Sequence, residues 1–316
     1  MLGRANIGAM DLQVQLAPRN RRGLLLSNPV MTASGTFGYG MEHAGLVDVQ
    51  RLGAVVSKGT TLKPREGNPQ PRLAETASGL LNSIGLENVG VEAVVRDMAP
   101  VWAGWRTSVI VNIAGESVGE YQKVAARLDG VAGVSGIELN ISCPNVARGG
   151  LEFGTDPALA AEVTATVRQA TTLPLLVKLT PNVTDIATVA RAVVGAGADA
   201  LTVCNTLRGM AIDVARRRAS LGNIFGGLSG PAVKPVALYL TYVVAGAVRV
   251  PVIGCGGIAT ASDALEFLMA GASAVQVGTA AFLNPHAPLE VLDGIQRYMR
   301  EKNVKSLANI IGQARV

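Results

Sequence analysis

Lys58, Lys178, Asn112, Asn140, Asn145, Asn205 and Cys143 each stand at or just beyond the end of a short apolar run, and together they suit the capture of a small anionic molecule. A primary amide donates and accepts hydrogen bonds at once, so it can grip a ligand that offers both kinds of group. A lysine drawn into a site is costly unless an anion compensates its charge. A thiol becomes a base or a nucleophile once deprotonated. The densest of these stretches is Glu138-Leu-Asn-Ile-Ser-Cys-Pro-Asn145, in which a strand-like run ends in two amides around one thiol. The glycine-bearing loop Val146-Ala-Arg-Gly-Gly150 follows at once. Alone, a strand-end cysteine is more often a packing residue and a strand-end asparagine more often a turn cap. The recurrence of such residues at several ends argues for a site instead.

Glycines carry the second signal. Gly254-Cys-Gly-Gly257 and Gly278-Thr279 each close an apolar run and precede a helical pattern. Glycines let backbone N–H groups approach a phosphate, and a helix N-terminus favours the anion. A phosphate-bearing cofactor is the expected occupant. Ser34-Gly35 and Lys58-Gly59 close two further runs.

The elements that must position these groups are eight apolar runs, beginning at residues 29, 54, 108, 137, 175, 200, 251 and 274. A (β/α)8 barrel of about 250 residues allots roughly 30 residues to each unit. Two of the intervals exceed that, so insertions are expected over about 59–85 and about 206–230, after the second and sixth strands. Helical periodicity fills the gaps over 89–98 and 121–128. Asp156-Pro157 caps a helix to about 169, and Thr260-Ala-Ser-Asp263 resembles a capping box. Helix following strand throughout argues for a parallel sheet. Eight units favour a closed TIM barrel, with an open doubly wound sheet as the alternative, and the first turn carries no GxGxxG. The whole of 1–316 reads as one domain, with about 1–28 forming an N-terminal hairpin that caps the barrel.

Composition narrows the classes. The chain is 49% hydrophobic but only 4% aromatic, which suits short buried strands alternating with Ala-rich helices. The net charge, 28 − 23 = +5, favours anionic ligands without demonstrating nucleic-acid binding. The one basic run, Arg216-Arg-Arg218, lacks base-stacking aromatics and reads as a solvated loop. Three cysteines without a CxxC suit a reducing cytosol, and two histidines argue against a multi-His metal site. No run approaches the roughly 18–20 apolar residues of a membrane span. A cytoplasmic protein without metal, nucleic acid or membrane partner is expected.

Several long motifs resemble the class 1 dihydroorotate dehydrogenases, FMN-dependent (β/α)8 enzymes of pyrimidine biosynthesis. They are Lys58-Gly-Thr-Thr with Pro64-Arg-Glu-Gly-Asn68, Asn82-Ser-Ile-Gly-Leu-Glu-Asn88, Glu138 to Asn145, and Gly226-Gly-Leu-Ser-Gly-Pro231. The resemblance implies one FMN per chain, held by Ser34, Lys58, Gly59, Asn112, Asn140, Lys178, Cys204, Gly230, Gly256, Gly257, Gly278 and Thr279. It implies dihydroorotate held by Lys58, Asn82, Ser83, Ile84, Gly85, Leu86, Asn140, Asn205 and Thr206. Cys143 would be the catalytic base that takes the C5 proton, the loop after it a lid, and Lys178 would stabilise charge on the reduced flavin. Class 2 enzymes use serine at the base position and carry a membrane-associating extension, so the cysteine and the short N-terminus point to class 1. The run Gly226 to Pro235 is similar to the NAD-linked type, class 1B. That type implies a homodimer core in a heterotetramer with a partner subunit bearing FAD and a 2Fe-2S cluster. The fumarate-dependent class 1A form is the alternative, and a flavin-dependent tRNA dihydrouridine synthase a more distant one.

Overall fold

The computed structural model describes residues 10–142, 144–145 and 151–315. Eight parallel strands close into a barrel: β1 (Val30–Thr32), β2 (Ala54–Val56), β3 (Ser108–Ile113), β4 (Gly136–Asn140), β5 (Leu175–Leu179), β6 (Ala200–Val203), β7 (Val252–Cys255) and β8 (Ala274–Val277). Each matches one of the eight apolar runs. Strand and helix alternate in a ring, so each strand is covered on both faces, and Val55, Ile110, Leu139, Val177 and Ile253 are fully buried. That double burial explains why the runs are continuously apolar instead of alternating.

Longer helices follow as α1 (Val118–Leu128), α2 (Pro157–Ala170), α3 (Ile186–Gly195), α4 (Lys234–Ala247), α5 (Ala261–Met269) and α6 (Ala287–Glu301). A helical segment over 91–102 precedes them. The Asp156 carboxylate accepts from Leu159 N at the start of α2. Thr260 and Asp263 form the reciprocal capping box at the start of α5. Below the barrel, Val14–Gln15 pairs antiparallel with Leu25–Leu26. This is the expected hairpin, and it places Leu16 and Leu24 in the core.

The two insertions join each other. Leu73–Thr76 and Gly79–Asn82 from the first pair with Leu207–Met210 and Phe225–Ser229 from the second in one four-stranded antiparallel sheet. Gly227 faces Asn82 across that sheet. The Arg216 to Arg218 run ends in a strand pair between Arg218–Ala219 and Ile212–Asp213, with its arginines exposed.

Candidate active site

The floor of the site is a polar cluster inside the barrel. Glu138 of β4 has no solvent exposure, and its carboxylate accepts three hydrogen bonds. Asn112 Nδ2 donates to Oε1 at 2.8 Å, while Thr202 Oγ1 and Gln276 Nε2 donate to Oε2 at 2.8 and 2.6 Å. Lys178 of β5 is 4% exposed, with Nζ 3.8 Å from Glu138 Oε1. The same ammonium donates to Ser34 Oγ at 3.2 Å and to Gln276 Oε1 at 3.4 Å. Burial works against the Lys178 charge, but the negative groups around it, Cys255 when ionised and the Glu138 carboxylate, outweigh burial and hold the ammonium above the ordinary lysine range. A buried cation is thus kept charged immediately beneath the strand ends. Glu138, Thr202 and Gln276 are not among the residues that the sequence singles out for the site.

Amides ring the mouth. Asn205 Nδ2 donates to Asn140 Oδ1 at 3.2 Å, joining the ends of β4 and β6. Tyr121 of α1 donates its hydroxyl to the Asn140 carbonyl at 2.7 Å, which fixes that strand end. Asn182 Nδ2 donates to the Thr206 carbonyl at 3.2 Å. Lys58 lies at the end of β2, half-buried, and among the described residues its ammonium has no carboxylate partner. A Cβ built on neighbouring Gly59 would lie 3.2 Å from Asn112 Oδ1 and 3.3 Å from Leu86 Cδ2. The 82–86 loop therefore reaches over Gly59 and Asn112.

That loop is clamped from outside. Asn82 Nδ2 donates to the Gly227 carbonyl at 3.1 Å, and Asn68 Nδ2 donates to Ser83 at both its carbonyl and its hydroxyl. Asn68 N also donates to the Ile84 carbonyl at 3.0 Å. Gly85 and Leu86 both turn through the left-handed region, at φ 75° and 57°. Asn88, buried, bonds Thr61 and the Leu86 carbonyl and accepts from Gly90 N.

Glycines gather at a third corner. Gly256 and Gly257, at φ 135° and 74°, pack against Ala237 and Lys234 of α4 so closely that an added Cβ would lie 2.7 Å from either. Gly230 opens the same α4 segment, and Thr279 Oγ1 donates to Ser229 Oγ at 2.8 Å. Gly278 sits beside Ala33, next to Ser34. The structure thus brings Gly230, Gly256, Gly257, Gly278 and Thr279 together at the ends of β7 and β8. Gly35 marks open space, since a Cβ there would meet nothing within 4 Å.

Cys204 and Cys255 are both buried, and burial pushes both thiols up, so both stay protonated at neutral pH. The Cys204 N–H is committed to the Cys255 carbonyl at 2.9 Å. Cys143 and the Val146 to Gly150 loop, where the sequence places the base and its lid, lie outside the described residues. Among the described residues no cluster of His, Cys, Asp and Glu could hold a metal ion, and no helix is long and apolar enough to cross a membrane.

A family model described as dihydroorotate dehydrogenase matches residues 18–299. The chain belongs to the dihydroorotate dehydrogenase family. Its relatives include the protein named dihydroorotate dehydrogenase B (NAD(+)), catalytic subunit, from Desulforamulus reducens, 58% identical over 287 residues, or 91% of this chain and 94% of that one. The subunit of the same name from Pelobacter propionicus is 55% identical over 302 residues, covering 96% and 98%. That of Geobacter sp. strain M21 is 54% identical, covering 96% and 97%. In a dihydroorotate dehydrogenase the polar floor, amide rim and glycine corner stand at the barrel end where TIM-barrel enzymes carry their active sites.

Proposed function

We propose that the chain is the FMN-bearing catalytic subunit of an NAD(+)-linked dihydroorotate dehydrogenase, oxidising dihydroorotate to orotate for pyrimidine synthesis. The observation that carries this reading is the buried Lys178 paired with Glu138 in the floor of a barrel of this family. The residues present fit a flavin phosphate ester. The positive-φ glycines at the ends of β7 and β8 give backbone access for a phosphate, Gly35 borders open space, and Lys58 and Lys178 supply positive charge.

On this reading Gly256, Gly257, Gly278, Thr279 and Gly230 hold the phosphate, and Ser34, Lys58, Gly59, Asn112, Asn140, Lys178 and Cys204 line the ring. Bound FMN supplies the acceptor for the hydride that leaves substrate C6. Asn82, Asn140, Asn205 and Thr206 grip a flat ring of alternating N–H and C=O groups, with Lys58 against its carboxylate and Ser83 to Leu86 as its wall. Cys143, as thiolate, takes the C5 proton on Sγ, leaving the C5=C6 double bond of orotate. Lys178 would offer its ammonium to negative charge on the bound ring.

The word subunit in the relatives' names supports a partner protein, which would hold the FAD and 2Fe-2S cluster; the chain itself would form a cytoplasmic homodimer core within a heterotetramer. The test is to purify the chain with and without the co-expressed partner and assay dihydroorotate oxidation. A yellow protein that reduces NAD(+) only with the partner is the expected result. A colourless chain that takes up no FMN refutes the cofactor, and turnover of the isolated chain with fumarate favours the class 1A form.

A further inference from the structure

The cluster beneath the strand ends has a polarity that only one of its members dictates. Asn112 and Gln276 each carry a primary amide, which can present either its carbonyl or its NH2 to a neighbour. An ionised carboxylate accepts and never donates. Because Asn112 Nδ2 and Gln276 Nε2 both donate to Glu138, their carbonyls must point away from it. The Gln276 carbonyl meets Lys178 Nζ at 3.4 Å, and Asn112 Oδ1 lies toward Gly59 at the mouth. We propose that Glu138 is a positioning residue for the reaction, whose carboxylate sets both amides so that Gln276 holds the Lys178 ammonium and Asn112 offers a carbonyl to the cofactor. This rests on the function proposed above for the two groups it aims.

The groups facing Lys178 are Glu138 from β4, Ser34 beyond β1, Gln276 from β8, and the buried thiols Cys204 and Cys255 from the ends of β6 and β7. Among these neighbours Glu138 offers the one carboxylate. Its carboxylate therefore has a second effect: at 3.8 Å from Nζ it supplies a counter-charge to the buried ammonium. A glutamine at 138 keeps the shape but sets an NH2 donor against donors that previously shared one acceptor. Asn112 or Gln276 must then reverse, and the ammonium loses its counter-charge.

The test is Glu138→Gln, read first without flavin by NMR titration of the Lys178 side chain, with Lys178→Met to assign the signal. Lys178 should titrate lower in the variant than in the wild type. In the FMN-loaded variant, flavin reduction by dihydroorotate should stay near wild type at low pH. It should then fall about tenfold per pH unit above the new titration point. An unchanged Lys178 titration with a uniform, pH-independent loss would overturn the proposal in favour of plain packing. If Glu138→Gln fails to fold, Gln276→Met tests the same chain of bonds. It should lower kcat at least tenfold with KM within about twofold, and an unchanged kcat would overturn the proposal. The flavin-free titration needs neither FMN nor substrate, so its outcome is separate from failure of the proposed function, which a wild-type chain inactive with dihydroorotate would reveal.

Discussion

Replacing Arg72 with alanine should raise the KM for dihydroorotate about thirtyfold while leaving FMN content close to wild type. Arg72 stands outside the 82–86 loop and clamps it through its guanidinium. Nε donates to the Asn68 carbonyl at 2.5 Å, one amine to the Glu66 carbonyl at 2.6 Å, and the other to Glu87 at 2.6 Å. Asn68 in turn holds Ser83 and Ile84. A hydrogen bond to a charged group is worth about 1.5–3 kcal/mol when sheltered and less in solvent. The Glu87 pair is partly exposed and is discounted to below about 1 kcal/mol. The backbone bond from Ser83 N to the Arg72 carbonyl survives substitution. A loss of about 2 kcal/mol in loop order remains, which is the stated factor in apparent affinity. Steady-state kinetics across dihydroorotate concentrations, with flavin content from the visible spectrum, make the measurement. Arg72→Lys should fall between, since a lysine cannot make the fork. A KM within twofold of wild type for Arg72→Ala would refute the argument that the loop's order is set from outside.

Cys143→Ala should slow flavin reduction by dihydroorotate by about a hundredfold or more across pH 6–9, as stopped-flow absorbance would show, and a wild-type rate would remove the thiol as base. Gly257→Ala should cost about 1–3 kcal/mol, because the backbone is at φ 74° and the new Cβ would sit 2.7 Å from Lys234 N. Thermal denaturation with and without added FMN should show a lower Tm and a smaller stabilisation by FMN. Asp263 is pulled below the usual carboxylate range; burial opposes its ionisation, but the Lys234 ammonium and the N–H groups of Ala259 and Thr260 prevail. A depressed folded pKa stabilises above the unfolded value and is lost as pH falls through the folded one. Asp263→Asn should therefore lower Tm at about pH 7, with the difference narrowing as pH falls through the depressed folded pKa.

Much of the barrel could be read from the chain because a strand covered on both faces has no reason to alternate. Leu175-Leu-Val-Lys178 and Pro251-Val-Ile-Gly254 are short, apolar and bounded, and their spacing leaves room for one helix each. The meeting of the two insertions was not legible, for a physical reason. Asn82 and Gly227 pair across 145 residues, and a pairing register has no local signature. Only the assembled sheet explains the glycines at 226 and 227. A Cβ on Gly226 would lie 2.3 Å from the Asn82 carbonyl oxygen, and one on Gly227 would lie 2.0 Å from Thr206 Oγ1. Those glycines let the second insertion pass close behind residues of the proposed substrate site.

At the site, strand-end residues were legible and the floor beneath them was not. Asn140, Lys178 and Asn205 announce themselves because polarity follows an apolar run. Glu138, Thr202 and Gln276 lie inside their runs, where each reads as an interruption. A local signal did exist. Asn112, Lys178, Thr202 and Gln276 each occupy the last position but one of a barrel strand, and Glu138 lies two before the end of its own. A polar side chain there cannot reach water past a strand buried on both faces, so it must be paired inside the barrel. Five such residues on five strands at nearly one height lie within reach of one another, and Lys178 donates to Ser34 as well. The two charges among them, the Glu138 carboxylate and the Lys178 ammonium, lie 3.8 Å apart. The register of β4 against β5, with Leu176 opposite Glu138 and Lys178 opposite Asn140, sets Glu138 one step beneath Lys178.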